Sequence, residues 1–346
     1  MEIVTPQQYP SIEQEYEAFN NGHRQGSFMQ SLRWTRVKDG WGSSLVLSRD
    51  GEGAIRGSML LLIKKVPVFG WTLLYAPRGP VCDPCDRETL ADLMTGVDQL
   101  AKTHKAYLFR MDPYVLASDE TYIGMAREMG FAFTPGLGDF KTIQTRNNYM
   151  LNIEGKTADE VLAGFHQKWR YNIRVAVKHG VECRVCDKSQ IDAFYALMQT
   201  TGSRDGFAIR PKEYFVKMLD ALEEYCRLYL CFYEGRAISG AIATQCAGKT
   251  CYVYGASDNE CRNVMPNHLM QWTMMQWAIE NGCFVYDFQG IPGYTNENDP
   301  NYGIYKFKKG FNGEVVEFAG EFDRVYSPGG KKTVDFCEKL YQKVRH

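Results

Sequence analysis

The sequence lacks an excess of charge of either sign. Its 40 Lys and Arg stand against 41 Asp and Glu, a formal net charge of −1 over 346 residues. That excludes a protein that coats nucleic acid through a uniformly basic surface, while leaving room for a local basic groove. It also lacks long apolar runs: the stretch 59–63 is five residues long and stops at Lys64-Lys65, so it reads as a strand and not a membrane span. Residues 1–9 carry neither a basic region nor an apolar core of the secretory kind. The expected compartment is the reducing cytoplasm, with the odd set of 11 Cys serving mostly as small buried hydrophobes.

Metal and nucleotide signatures are missing too. The six His show no ligand spacing, and Gly290-Ile291-Pro292-Gly293 lacks the Lys-Ser/Thr of a phosphate-binding loop. Two Cys-x-x-Cys pairs, Cys82/Cys85 and Cys183/Cys186, raise the question of zinc. The second lies in a strand-like segment, where residues three apart face opposite sides. The expectation is no metal and no cofactor.

What is present is a folded chain: 45% hydrophobic, 23% charged, and rich in aromatics at 13%, including 21 Tyr. Its length suits two domains. Two segments match in order. The first has Ala54-Ile55-Arg56-Gly57, a strand ending in Tyr75, a helix over about 87–103, and a buried strand ending in Asp112. The second has Ala237-Ile238-Ser239-Gly240, a strand ending in Tyr254, a helix over about 265–280, and a strand ending in Asp287. This predicts a duplicated α+β unit with a mixed sheet. The layout resembles the GNAT acyltransferase fold. The loops that should carry an acyl-CoA signature, 76–80 and 255–259, do not fit it, so acyl transfer without CoA is the sharper hypothesis.

Two segments carry candidate chemistry. Thr157 with Glu160 predicts a capping box, and Gly180 a helix stop. Within 167–180, Arg170, Arg174 and Lys178 fall four apart and share a face, either a solvated basic face or an RNA phosphate track. Trp169, Ile173 and Val177 are assigned to the core face. The second segment, 303–311, places Lys306, Lys308 and Lys309 among Tyr305, Phe307 and Phe311. A lysine held dry there could meet a developing oxyanion; the plainer reading is a surface helix anchored by its Phe residues. Asp112, at a strand end before Pro113, is either a base or amine-orienting group or the opening of a turn.

These runs, with Gln30-Ser31 and Trp34, Phe109-Arg110-Met111-Asp112-Pro113 and Gly320-Glu321-Phe322-Asp323, resemble the FemABX family over essentially the whole chain. The resemblance is to the compact, FemX-like subgroup, since 188–228 has no room for a long coiled-coil insertion. It implies two tandem GNAT-like domains, each a mixed twisted sheet flanked by helices: 1–148 plus 314–346 for precursor binding, and 149–313 for catalysis and tRNA. It implies transfer of an amino acid from aminoacyl-tRNA to the third stem-peptide residue of UDP-MurNAc-pentapeptide or lipid II. It further implies a monomer, peripheral to the membrane where the precursor is lipid-linked. By resemblance, Lys38 and Arg210 meet the precursor's diphosphate, and Tyr107, Asp112, Tyr214 and Tyr254 line the same cleft. Lys308 after Phe307 matches the catalytic lysine, with Lys306 and Lys309 close enough to compete for that register. Two rival readings remain: a GNAT-type N-acyltransferase using another acyl donor, and a non-catalytic tRNA- or envelope-binding homologue.

Overall fold

In the computed structural model, residues 1–133 and 142–345 are described, with side chains as far as residue 340. The chain opens with strand β1 (Glu2–Val4), helices α1 (Tyr9–Gly22) and α2 (Leu32–Val37), and strands β2 (Gly42–Arg49), β3 (Ile55–Lys65) and β4 (Thr72–Ala76). Helix α3 (Arg87–Thr103), β5 (Ala106–Met111), α4 (Glu120–Glu128) and β6 (Ala132–Phe133) follow. Then come β7 (Asn147–Asn152), α5 (Ala158–Gly164), α6 (Gln167–Lys178), β8 (Glu182–Cys186), α7 (Ile191–Asp205) and α8 (Lys212–Leu222). Next are β9 (Cys226–Tyr233), β10 (Arg236–Cys246), β11 (Lys249–Ser257), α9 (Pro266–Glu280), β12 (Val285–Gly290), α10 (Tyr302–Lys309) and β13 (Glu314–Glu317). The chain ends with β14 (Phe322–Val325) and α11 (Pro328–Arg345). None of the described helices is long and apolar enough to cross a membrane.

Packing divides the chain into two units, Met1–Arg146 with Glu317–His346, and Asn147–Val316. Each is built on a seven-stranded mixed sheet, in the orders β1-β2-β3-β4-β5-β14-β6 and β13-β7-β12-β11-β10-β9-β8. The repeat is plain in the ladders. β3 and β10 each pair antiparallel with the next strand, β4 and β11, which pairs parallel with β5 or β12 across a long helix. A crossover helix is what a parallel connection requires.

Local chemistry explains the elements. Asp86 caps α3 by accepting from the Thr89 backbone N–H at 2.9 Å. Leu90, Leu93, Met94, Val97, Leu100 and Ala101 then form its buried stripe, at helical spacing. In α9, buried residues lie all round the helix, as the central helix of the second core requires. Two widely separated motifs meet in the first unit: β14 pairs with β5, and Arg110 makes a two-pronged bond to Asp323 at 2.7 and 2.8 Å, with Glu321 at 2.7 Å.

The region 157–180 differs from the single helix expected. The capping box at Thr157 and Glu160 forms, but it starts α5, which ends at Gly164. Phe165 adopts extended backbone, ψ 152°, and α6 begins afresh at Gln167. Phe165 is buried against Trp272 and Phe311, and anchoring that ring breaks the helix. Val177 is exposed rather than on the core face; Asn172, Ile173 and Ala176 point inward.

Candidate acyl-transfer site

The second unit's sheet opens at one place. The parallel ladder of β11 and β12 runs from Lys249↔Val285 to Cys251↔Asp287 and stops. Beyond it β11 stays with β10, through Ser239↔Ser257, while β12 stays with β7, through Gly290↔Asn148. The two strands therefore part at their C-terminal ends, where open α/β sheets place ligands.

Lys308 lies at the β12 side of this opening. α10 turns it inward, so it is buried while Lys306 and Lys309 are exposed. Its Nζ donates to the carbonyls of Phe288 at 2.6 Å, Gln289 at 3.2 Å and Gly290 at 2.7 Å. Those carbonyls follow the last residue in ladder with β11, so the ammonium supplies donors just where that ladder ends. Burial pushes the Lys308 ammonium down to about 7, opposed by nearby Asp287. The three carbonyl dipoles also favour the charged form.

Asp287 organises the turn. Its carboxylate accepts from Asn148 Nδ2 at 2.9 Å, from the Gln289 backbone N–H at 2.7 Å and from Gln289 Nε2 at 2.9 Å. These bonds support Gln289 at φ 63°, a left-handed conformation that costs a non-glycine residue. Sequence reasoning misses Asp287, Asn148 and Gln289 as site residues. The available signal is the repeat, which ends both matched strands in Asp.

Around Lys308 stands an aromatic cluster. Phe307 packs on His268 at 5.2 Å and Phe311 at 5.4 Å, and its carbonyl accepts from Trp169 Nε1 at 3.0 Å. Gly310 lets Trp169 approach: a Cβ there would sit 2.1 Å from the indole. His268, also missed from sequence, is buried 3.0 Å from Asn172 Nδ2, and burial lowers its pKa to about 4. It is held neutral.

Three further residues of the second unit come together. Arg210 is exposed, with its guanidinium 5.4 Å from the Tyr214 ring. Tyr214 lies 6.4 Å from Tyr254, and burial raises its pKa further than that neighbour does. On α6, Arg174 and Lys178 are exposed, but Arg170 turns back. It donates to the carbonyls of Ala163, at 2.8 Å, and Phe165, capping the end of α5.

In the first unit Lys38 sits at the end of α2, its Nζ 4.9 Å over Trp34. Asp112 is buried, accepting from Tyr75 Oη and the Arg78 backbone N–H, both at 2.6 Å, and burial raises its pKa. Tyr107 is held elsewhere along β5, buried with Leu108 and Val334 of α11. Each of the two has its own partners; their five-residue spacing spans about 16 Å of strand. The Cys-x-x-Cys pairs are also divided: Cys82 is buried and Cys85 exposed, while Cys183 lies opposite Cys231 across β8 and β9.

The architecture is that of a tandem GNAT-like protein. It is similar to the tandem GNAT protein from the clavulanic acid biosynthesis pathway, with a TM-score of 0.54 at 10% identity, covering 95% of this chain and 99% of that one. The family is narrower. The FemAB family model matches residues 12–234 and 233–338, and the chain belongs to that family, as a transferase. It is 31% identical over 388 residues to the lipid II:glycine glycyltransferase of Staphylococcus aureus strain USA300, covering 90% of this chain and 91% of that protein. The crystal structure of FemX matches over all of both chains with a TM-score of 0.85 and 28% identity.

Proposed function

We propose that this protein transfers an amino acid from aminoacyl-tRNA to the side-chain amine of the third stem-peptide residue of a peptidoglycan precursor, building the interpeptide bridge. The supporting observation is the buried Lys308 ammonium at the parting of β11 and β12, in a chain similar over its whole length to FemX and over 90% of it to a lipid II:glycine glycyltransferase. The donor ester is already activated, so the protein's task is to position the amine and stabilise charge. The amine nitrogen bonds to the ester carbonyl carbon, and the carbonyl oxygen becomes the oxyanion. Collapse breaks the ester C–O bond, the tRNA hydroxyl leaves with a proton, and the amine loses one.

In this reading Lys308 in its protonated form, held by the three carbonyls, supplies positive charge near the oxyanion, and Phe307 with His268 and Trp169 keeps it dry. By resemblance, Lys38 in the first unit and Arg210 in the second are each assigned to the precursor's diphosphate end, with Tyr214 and Tyr254 beside Arg210. The first unit serves the precursor; the second serves chemistry, shares in precursor binding through Arg210 and, through Arg174 and Lys178, serves the tRNA. Asp112 supports its loop rather than acting as base, because both its oxygens are engaged by Tyr75 and Arg78. A charged tRNA donor and a lipid-linked acceptor together imply the cytoplasmic side of the membrane.

The test supplies the protein with a pool of charged tRNAs and, in turn, UDP-MurNAc-pentapeptide and lipid II, and weighs the products. The expected product is heavier by one amino-acid residue on the stem's side chain. Turnover only with acyl-CoA, read as free CoA, or binding of both substrates without product, would overturn the reading.

A further inference from the structure

The hairpin joining β3 to β4 projects beyond the first unit's sheet. Its ladder runs to Lys65↔Thr72, and the Val66 backbone N–H closes it on the Trp71 carbonyl at 2.8 Å. The tip beyond is apolar: Val68 is 97% exposed and Phe69 41%. Phe69 stacks on Trp71 at 5.3 Å with 13° between planes, so its ring is held in place outside the core. Val68 has φ 72°, where a β-branched residue is disfavoured and Gly or Asn would make the turn at lower cost. The tip thus carries apolar side chains that burial in this fold does not account for.

Cations surround it. Lys64 and Lys65 are exposed at its base, and Lys64 Nζ lies 5.1 Å over Trp41, next to the start of β2. The Thr72 backbone N–H donates to the Lys105 carbonyl, so the α3–β5 turn, with exposed Lys102 and Lys105, borders the same edge. On these three turns, all among the described residues, Lys38 is a further cation and Asp39 the one carboxylate; α11, whose Val334 packs with Val66 and Trp71 at the hairpin's base, adds Asp335, which is paired with Lys331, and Glu338. An apolar tip held by Trp and ringed by lysines matches a surface with anionic headgroups over an apolar interior.

We propose that this end of the first unit is an interfacial binding surface for an anionic bilayer, with Val68 and Phe69 entering at the headgroup–acyl boundary and Lys64, Lys65, Lys102 and Lys105 on lipid phosphates. The exposed lysines at the tip's own base and on the α3–β5 turn, with no carboxylate between them on those two turns, favour a polyanionic surface over an apolar protein groove. The proposal does not depend on the transfer reaction, because membrane binding is measured without substrates.

The experiment is co-sedimentation of the full-length protein with vesicles of phosphatidylglycerol and phosphatidylcholine in equal parts, and of phosphatidylcholine alone. Binding is expected to the anionic vesicles, weakened by salt and accompanied by a blue shift of tryptophan emission. Replacing both Val68 and Phe69 by Ser should weaken it by about tenfold or more. Lys64→Gln and Lys65→Gln should each weaken it by about fivefold. All four positions are exposed, so thermal unfolding should not move, which separates lost binding from lost folding. Equal binding to neutral vesicles, or no change in the Val68/Phe69 variant, overturns the proposal. So does a dimer that these substitutions dissociate while vesicle binding is absent, which would assign the tip to a second copy of the chain. Vesicle binding without aminoacyl transfer would count against the transfer reading alone.

Discussion

The Lys308 ammonium donates to the Phe288 carbonyl at 2.6 Å, across the place where β12 parts from β11. The same lysine that the family resemblance marks for catalysis therefore also closes the backbone of its own site. Its two tasks predict two losses. Lys308→Met should lower turnover by roughly 10²–10³-fold, the scale for losing one preorganised oxyanion-stabilising group, here a positive charge whose own N–H groups are held by the three carbonyls. It should also destabilise the fold by about 1–3 kcal/mol, because three carbonyls lose their donor. Precursor affinity should change little, and Lys306→Ala and Lys309→Ala should be mild. Steady-state kinetics with denaturant titration checks both; near-normal turnover in the Met variant would remove Lys308 from the chemistry.

Lys38→Ala and Arg210→Ala should weaken precursor binding far more than they lower turnover at saturation. A diphosphate remote from the reacting atoms is bound equally in ground and transition states, so its loss appears in KM. Calorimetric titration of the precursor with parallel kinetics decides this: unchanged affinity with lost turnover would contradict the placement.

On α6 the three basic residues should behave differently. Reversing Arg174 and Lys178 to Glu should reduce the salt slope of tRNA affinity, since the variant neutralises fewer phosphates and so releases fewer counterions. Arg170→Ala should instead cost about 1 kcal/mol of stability, because it caps α5 carbonyls. A salt slope unchanged in the Arg174/Lys178 variant while tRNA still binds would reassign that face to solvent.

His268 gives a pH prediction. Its folded pKa of about 4 lies below the ordinary value of 6.5, so the unfolded chain binds the proton first as pH falls. The stability contributed by neutral His268 is present above 6.5 and is lost as pH falls through 6.5 toward 4. At the linkage scale this is about 3 kcal/mol. Relative to His268→Gln, the wild type should weaken by that order between about pH 7 and 4 in equilibrium unfolding. A difference that is flat across this window would mean the ring is charged or hydrated in the folded state.

The two-copy layout is legible in the sequence because its signals are local. Asp86 and its hydrophobic spacing mark α3, the Gly-marked hairpins mark β3 and β10, and both copies end a buried strand in Asp. What sequence leaves undecided is direction. Lys306, Lys308 and Lys309 are distributed at about 100° per residue around one short helix, and nothing in their spacing says which faces inward. That choice depends on where α10 packs, and so on where the β11–β12 ladder stops, an event set by residues about twenty to sixty positions away. Arg170 shows the same limit. Its four-residue spacing places it with Arg174 and Lys178, but the break at Phe165 sets two carbonyls within its reach and turns it back. Periodicity assigns a residue to a face of its own helix; only the packing of distant elements determines what that face meets.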